Sequence, residues 1–143
     1  MISYTFLSSE TLYAEDILVL DALLQQLVKH SVDLTREHVL EVLGQARILI
    51  ARSEEGKIVG TASLYKMSLL ARTVGHVEEV VVDANMRGQG VGKELMQRLI
   101  AEAKRLGISR LCLTSHPSRV EANQLYQKLG FEQRDTNSYR MDV

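Results

Sequence analysis

The sequence predicts a mixed α/β fold: a mostly antiparallel sheet flanked by helices, with parallel pairing confined to its second half. Three observations carry this. Apolar runs with strand character alternate with runs of helical period along the whole chain. The strands of the first half are joined by a short glycine turn, EEGK at 54–57, which reads as a hairpin. The second half repeats strand then helix twice, and such units favour parallel strands. At 143 residues the simplest organisation is one domain over 1–143.

The elements follow in order. Residues 3–7 read as a short strand. Ile17, Leu20, Leu23, Leu24 and Leu27 share one helical face between about 11 and 30. Thr35 is placed to cap a second helix whose apolar side is Val39, Leu40, Val42 and Leu43; TREH lacks the glutamate of a full capping box. RILIARS is a strand, EEGK the turn and IVGTASLYKM the return. HVEEVVV at 76–82 is apolar and β-branched apart from its two glutamates. Val91, Leu95, Met96, Leu99, Ile100, Ala103 and Leu106 then recur at helical spacing, and Gly107 stops the run. RLCLTS predicts another strand and SRVEANQLYQKLG another helix. FEQRDTNSYRMDV is expected to supply one or two closing strands.

Composition narrows the function. A net charge of −1 gives no global electrostatic basis for nucleic-acid binding. Cys112 is the single cysteine, which excludes an internal disulfide and fits a reducing compartment. The longest apolar stretches are too short to span a bilayer, and the start lacks a signal-peptide pattern. A cytoplasmic protein is the default expectation, with no membrane partner. The four histidines show no metal-ligand spacing, so no metal site is expected. A homodimer stays open.

The chemistry concentrates in MRGQGVGKELM, residues 86–96, where Gly88, Gly90 and Gly92 alternate between Arg87 and Lys93. Glycine tolerates backbone angles that other residues resist and lets a ligand approach the main chain. The helix that follows presents unpaired N–H groups and a partial positive charge. Strand, glycine loop and helix together suit a phosphate. Two familiar phosphate loops do not fit. Gly88 and Gly92 enclose three residues rather than four, and Glu94 stands where a P-loop has Ser or Thr. The spacing is G-x-G-x-G, not the G-x-G-x-x-G of a dinucleotide fold. A plain turn with no ligand is the competing reading.

VVVDANMRGQGVGKELM followed by SRVEANQLYQKLGFE resembles the GNAT superfamily of N-acetyltransferases. Arg87, Gly90 and Gly92 match its Q/R-x-x-G-x-G/A motif. Ala122, Tyr126, Lys128, Gly130 and Phe131 match its A-x-x-x-Y-x-K-x-G-F pattern. The resemblance is strong over 76–131 and weakest over 8–45. It implies a splayed central strand pair and acetyl-CoA as cosubstrate. Backbone N–H groups of Gly88, Gln89, Gly90, Val91, Gly92 and Lys93 would meet its pyrophosphate, with Arg87 beside them. Main-chain groups of Val80, Val81 and Val82 would pair with the pantetheine arm. Lys93, Arg119 and Lys128 could assist at other phosphates.

Acetyl transfer to an amine by direct attack has two proton problems: the amine must lose a proton and the departing thiolate must gain one. It needs neither a covalent enzyme intermediate nor a metal, so Cys112 has no required role. Tyr126 matches the family position of the acid, against the bland reading of a core tyrosine. Glu78 and Glu79 are the candidates for the base. Strand alternation lets only one of them face a given site, unless the strand is bulged; a water chain is the third option. The family position favours Glu78, nine residues before Arg87. The chain departs from many relatives in carrying Arg119 where they have Asn, and Thr114 where some have a glutamate. His116 reads as a loop histidine beside Pro117. The alternative function is a non-catalytic acyl-CoA-binding regulatory module. The acceptor, a small-molecule or protein amine, is not legible.

Overall fold

The computed structural model describes all residues, Met1–Val143. Internal contacts divide it into two compact units, Met1–Leu113 and Thr114–Val143. The first contains β1 (Ser3–Phe6), α1 (Ala14–Val28), α2 (Arg36–Leu43), β2 (Ala46–Arg52), β3 (Ile58–Ser68), β4 (Thr73–Val82), a 3-10 turn (Ala84–Met86), α3 (Val91–Arg105) and β5 (Arg110–Cys112). The strands form one sheet in the order β1-β2-β3-β4-β5. The first four pair antiparallel and β4 pairs β5 in parallel, as the sequence predicts. The EEGK turn closes with Gly56 at φ +85° and the Ser53 N–H donating to the Lys57 carbonyl at 2.9 Å.

Both faces of the sheet are covered. Register places Ile48 opposite Ser63 and Ile50 opposite Thr61, so these residues share a face. On that face Ile48, Ile50, Ile58 and Val81 form a core with Leu20 and Leu23 of α1 and Val39 of α2. The other face takes α3, whose Val91, Leu95, Met96, Leu99 and Ala103 are buried. Gly60 shows how close that packing is. A Cβ there would stand 3.2 Å from both Leu95 Cδ1 and Val91 Cγ1.

The helix starts have explicit anchors. Thr35 Oγ1 accepts the His38 N–H at 3.1 Å, the cap that the sequence predicts. Asp16 accepts the Tyr13 N–H at 2.9 Å at the start of α1. Its carboxylate also receives both terminal nitrogens of Arg52 at 2.8 Å. Arg52 donates further to the carbonyls of Gly56 and Thr11, and its guanidinium lies over the Tyr13 ring. This buried ion pair ties α1 to β2.

The second unit is built on α4 (Val120–Lys128). Tyr126 is buried and meets Phe131 edge-on, with ring centroids 6.0 Å apart. The Phe131 N–H returns to the Tyr126 carbonyl at 3.0 Å, past Gly130 at φ +102°. The closing strands expected over 131–143 are absent. Tyr139, Met141 and Val143 alternate as a strand would, yet all are exposed. Alternation alone does not make a strand without a ladder partner. β5 is likewise shorter than RLCLTS suggests, ending at Cys112.

Candidate active site

β4 and its exit loop carry the functional side chains of the first unit. β5 pairs only with Val74, Gly75 and His76. From Val77 to Val82, β5 no longer accompanies β4. The expected splay therefore begins before Val80, Val81 and Val82, on the stretch where an amide-rich arm could add as a strand.

The chain then turns sharply. The Asp83 N–H donates to the Val59 carbonyl at 2.8 Å, and the Asp83 side chain and carbonyl accept the N–H groups of Asn85 and Met86. The Ala84 N–H meets Gln26 Oε1 at 3.1 Å. None of these contacts is evident in the motif, nor is the 3-10 turn they close. The next seven residues differ. The main-chain N–H groups of Arg87, Gly88, Gln89, Gly90, Val91, Gly92 and Lys93 donate to no protein group. Gly88 and Gly90 lie at φ +79° and +82°, and a Cβ on either would meet nothing within 4 Å. Val91 is buried beside Gly60, which fixes the loop to the sheet. The result is a concave run of donors at a helix start, suited to an anion. Lys93 is exposed at its rim, and Arg87 Nε lies 3.4 Å from the Val82 carbonyl.

The two glutamates sit at a break in strand alternation. Ser63 pairs with Glu78 and Thr61 with Val81, so Ala62 alone opposes both Glu79 and Val80. Glu79 takes φ +52°, a left-handed conformation unusual for a residue with a Cβ. This is a β-bulge. The bulge that would interrupt the parity reading is therefore present, with the inserted residue at Glu79/Val80. Loss of solvation raises the Glu79 pKa, the Glu78 charge raises it further, and His38 of α2 partly offsets the rise. Register puts Glu78 on the face shared by Ser63 and Val81, which α1 and α2 cover, while Glu79 stands opposite Ala62, close enough to His38 of α2 to feel its charge.

In the second unit Tyr126 is 5% exposed. Burial raises its phenol above its ordinary pKa, and the charge and hydrogen bond of Arg119 work the other way. Arg119 opens α4 in the place of the family asparagine. Its own N–H donates to the His116 carbonyl, and so does the Asn123 side chain. His116 Nδ1 is occupied locally, 2.7 Å from Ser118 Oγ. Lys128 is exposed at the end of α4.

Other features lie apart from this chemistry. Cys112 is a free, half-buried thiol on β5. No three His, Cys, Asp or Glu side chains are grouped to hold a metal. No helix is long and apolar enough to cross a membrane. A groove of about 540 Å³ is lined by residues that include Leu7, Ser8, Leu40, Arg47, Leu64 and Lys66 and contains none of the site residues.

The mostly antiparallel sheet with a parallel β4–β5 pair, flanked by helices, fits the acetyltransferase class of fold. The family model for the acetyltransferase (GNAT) family matches residues 16–131, and the chain belongs to that family. It is 37% identical over 91 residues to a glucosamine 6-phosphate N-acetyltransferase of Trypanosoma brucei brucei, covering 62% of this chain and 59% of that protein. It is 32% identical over 80 residues to an aminoalkylphosphonate N-acetyltransferase of Salmonella typhimurium, covering 54% and 52%. The chain thus spans less than two thirds of the length of these relatives. Among solved structures, a Trypanosoma brucei acetyltransferase superposes with a TM-score of 0.81 at 26% identity, over 100% of both chains.

Proposed function

We propose that the chain is an N-acetyltransferase that moves an acetyl group from acetyl-CoA to a primary amine by direct attack. The observation that carries this reading is the loop of seven unpartnered N–H donors, with Gly88 and Gly90 open to a ligand. Those donors would take the pyrophosphate. The β4 edge at Val80–Val82 would take the pantetheine arm, and so lead the thioester towards the bulge. Relatives whose names specify amino sugar phosphates and aminoalkylphosphonates support a small amine as acceptor.

Two expected results test the parts separately. Gly90→Val forces a β-branched residue into a left-handed conformation, at a cost of about 1–2 kcal/mol. Since a domain has roughly 5–15 kcal/mol of stability, the fold should survive. Relaxation of the loop turns the donors away, and calorimetry should show acetyl-CoA affinity reduced by about tenfold or more. Gly56→Val imposes similar strain at φ +85° in the EEGK turn and should leave affinity unchanged. Equal losses in both variants would remove the loop from the site.

The base is proposed to be Glu79, with Glu78 supporting it. A base acts best when its pKa approaches the working pH, and Glu79 is the carboxyl whose pKa is raised. Its titratable neighbours are Glu78, Tyr65 and His38. Protonation of Glu79 should lower kcat/KM on the acid side, with a midpoint above the ordinary carboxylate range. Glu79→Gln should lower kcat/KM and abolish that limb, while acetyl-CoA binding persists. Glu78→Gln should be milder. The reverse ranking returns the role to Glu78, and wild-type rates in both indicate a water-mediated path.

A further inference from the structure

The face of the sheet beneath α2 carries polar groups that no contact within the protein explains. Register places Thr61, Ser63 and Tyr65 of β3 on the same face as Val81, Glu78 and His76 of β4. Val81 anchors that face to the α1/α2 core, together with Val39 of α2. His38 precedes Val39 on α2 and stands close enough for its charge to reach Glu79. Ser63 is 5% exposed, yet its hydroxyl has no hydrogen-bond partner, unlike Thr61, whose hydroxyl donates to the Leu49 carbonyl at 3.1 Å. The Tyr65 phenol is half-buried and also makes no hydrogen bond. Neither oxygen is sealed from solvent, so both hydroxyls are accessible to a ligand; the one buried side-chain polar atom without a partner is Ser115 Oγ, in the second unit.

We propose, on the footing of the acetyl-transfer reading, that Ser63 and Tyr65 join Glu78 and Glu79 in contacting the acceptor, and that the acceptor is a small cationic amine that also carries hydroxyl groups. The surface lies where the β3–β4 ladder meets the bulge. Register puts Glu78 on the side that Ser63 and Tyr65 occupy, and the charges of both glutamates reach the Tyr65 phenol. Carboxylates accept from an ammonium and from hydroxyls. Ser63 and Tyr65 supply donors that can also accept, and the Tyr65 ring offers an apolar face to a carbon skeleton. None of the β3 and β4 residues on this stretch, from Thr61 to Tyr65 and from His76 to Val81, is Lys or Arg. Burial, followed by the charges of Glu79 and Glu78, raises the phenol of Tyr65, so it stays protonated and able to donate at neutral pH.

The test compares glucosamine with cyclohexylamine, a six-membered ring amine without hydroxyls, using acetyl-CoA as donor. Wild type should favour glucosamine in kcat/KM by at least about tenfold. Ser63→Ala and Tyr65→Phe should each raise KM for glucosamine by about tenfold, with KM for cyclohexylamine and acetyl-CoA affinity unchanged. The two substitutions are independent, so one misfolded variant does not end the test. Equal efficiency on the two amines overturns the acceptor class. Loss of acetyl-CoA affinity with an unchanged acceptor KM overturns the placement of Ser63 and Tyr65. If no amine releases CoA, glucosamine is titrated calorimetrically into the protein–CoA complex. Binding that Ser63→Ala weakens upholds the acceptor surface while acetyl transfer fails; absence of binding overturns the surface itself.

Discussion

Tyr126→Phe is expected to lower kcat by roughly ten- to a thousandfold while folding and acetyl-CoA affinity stay close to wild type. An alkyl thiolate is a costly group to expel unprotonated into a partly dry site. The Tyr126 phenol is held in its protonated form by burial, despite the opposing influence of Arg119. It can donate as the C–S bond breaks. Phenylalanine keeps the ring, and with it the edge-on contact to Phe131, and the backbone bond from the Phe131 N–H is untouched. What is lost is the phenol proton and the hydrogen bond with Arg119. The defect should therefore appear in single-turnover acetyl transfer and not merely at steady state. A wild-type single-turnover rate would make Tyr126 a packing residue and leave protonation to another donor or to water. A wild-type protein that binds acetyl-CoA but releases no CoA with any amine would instead favour a binding module.

Asp16→Ala is expected to be the most damaging single change to stability, by about 3–5 kcal/mol, because it strands a largely buried cation. The side chains of Asp16 and Arg52 are 3% and 13% exposed. Alanine would also release the Tyr13 N–H at the start of α1. Urea denaturation of the two proteins measures the loss directly, and a difference below about 1 kcal/mol would place the pair among weak surface bridges. The pH dependence has a definite sign. Burial alone would raise the Asp16 pKa, but the Arg52 hydrogen bonds, the Tyr13 N–H and the Arg52 charge outweigh it and lower the pKa overall. Its contribution is therefore present above the ordinary carboxylate pKa of about 3.9 and is lost as pH falls through the lowered folded value. The alanine variant should approach wild type in that acid range.

Local chemistry was legible in the sequence and tertiary pairing was not. The Thr35 cap, the EEGK turn and the α3 stripe each depend on residues a few positions apart, and each stands where periodicity and turn chemistry place it. The glycine loop was legible as the turn into α3, because three glycines directly precede a run of helical period. The bulge was not, since Glu79 is no more turn-prone than Glu78 and only the β3 register reveals the inserted residue. Asp16 and Arg52 lie 36 residues apart, beyond any local pattern. Ser63 and Tyr65 read as ordinary strand residues until the sheet puts them opposite Glu78 and His76. The closing strands failed for the converse reason: alternation was present at Tyr139, Met141 and Val143, but no ladder partner was.

Gly60 makes the depth of the ligand loop a property of the core. With no side chain there, Val91 and Leu95 settle directly onto β3, and Val91 follows Gly90 at the entry to α3. A single methyl group at position 60 would have to push those side chains, and the helix behind them, outward by a few tenths of an ångström. Hydrogen bonds to an anion weaken over displacements of that size when several must be aligned together. The height of the donor array is thus gauged from the opposite end of the helix's first turn by an atom that is missing. On the proposed reading, acetyl-CoA affinity can therefore be altered from a buried strand position that never touches the loop's ligand.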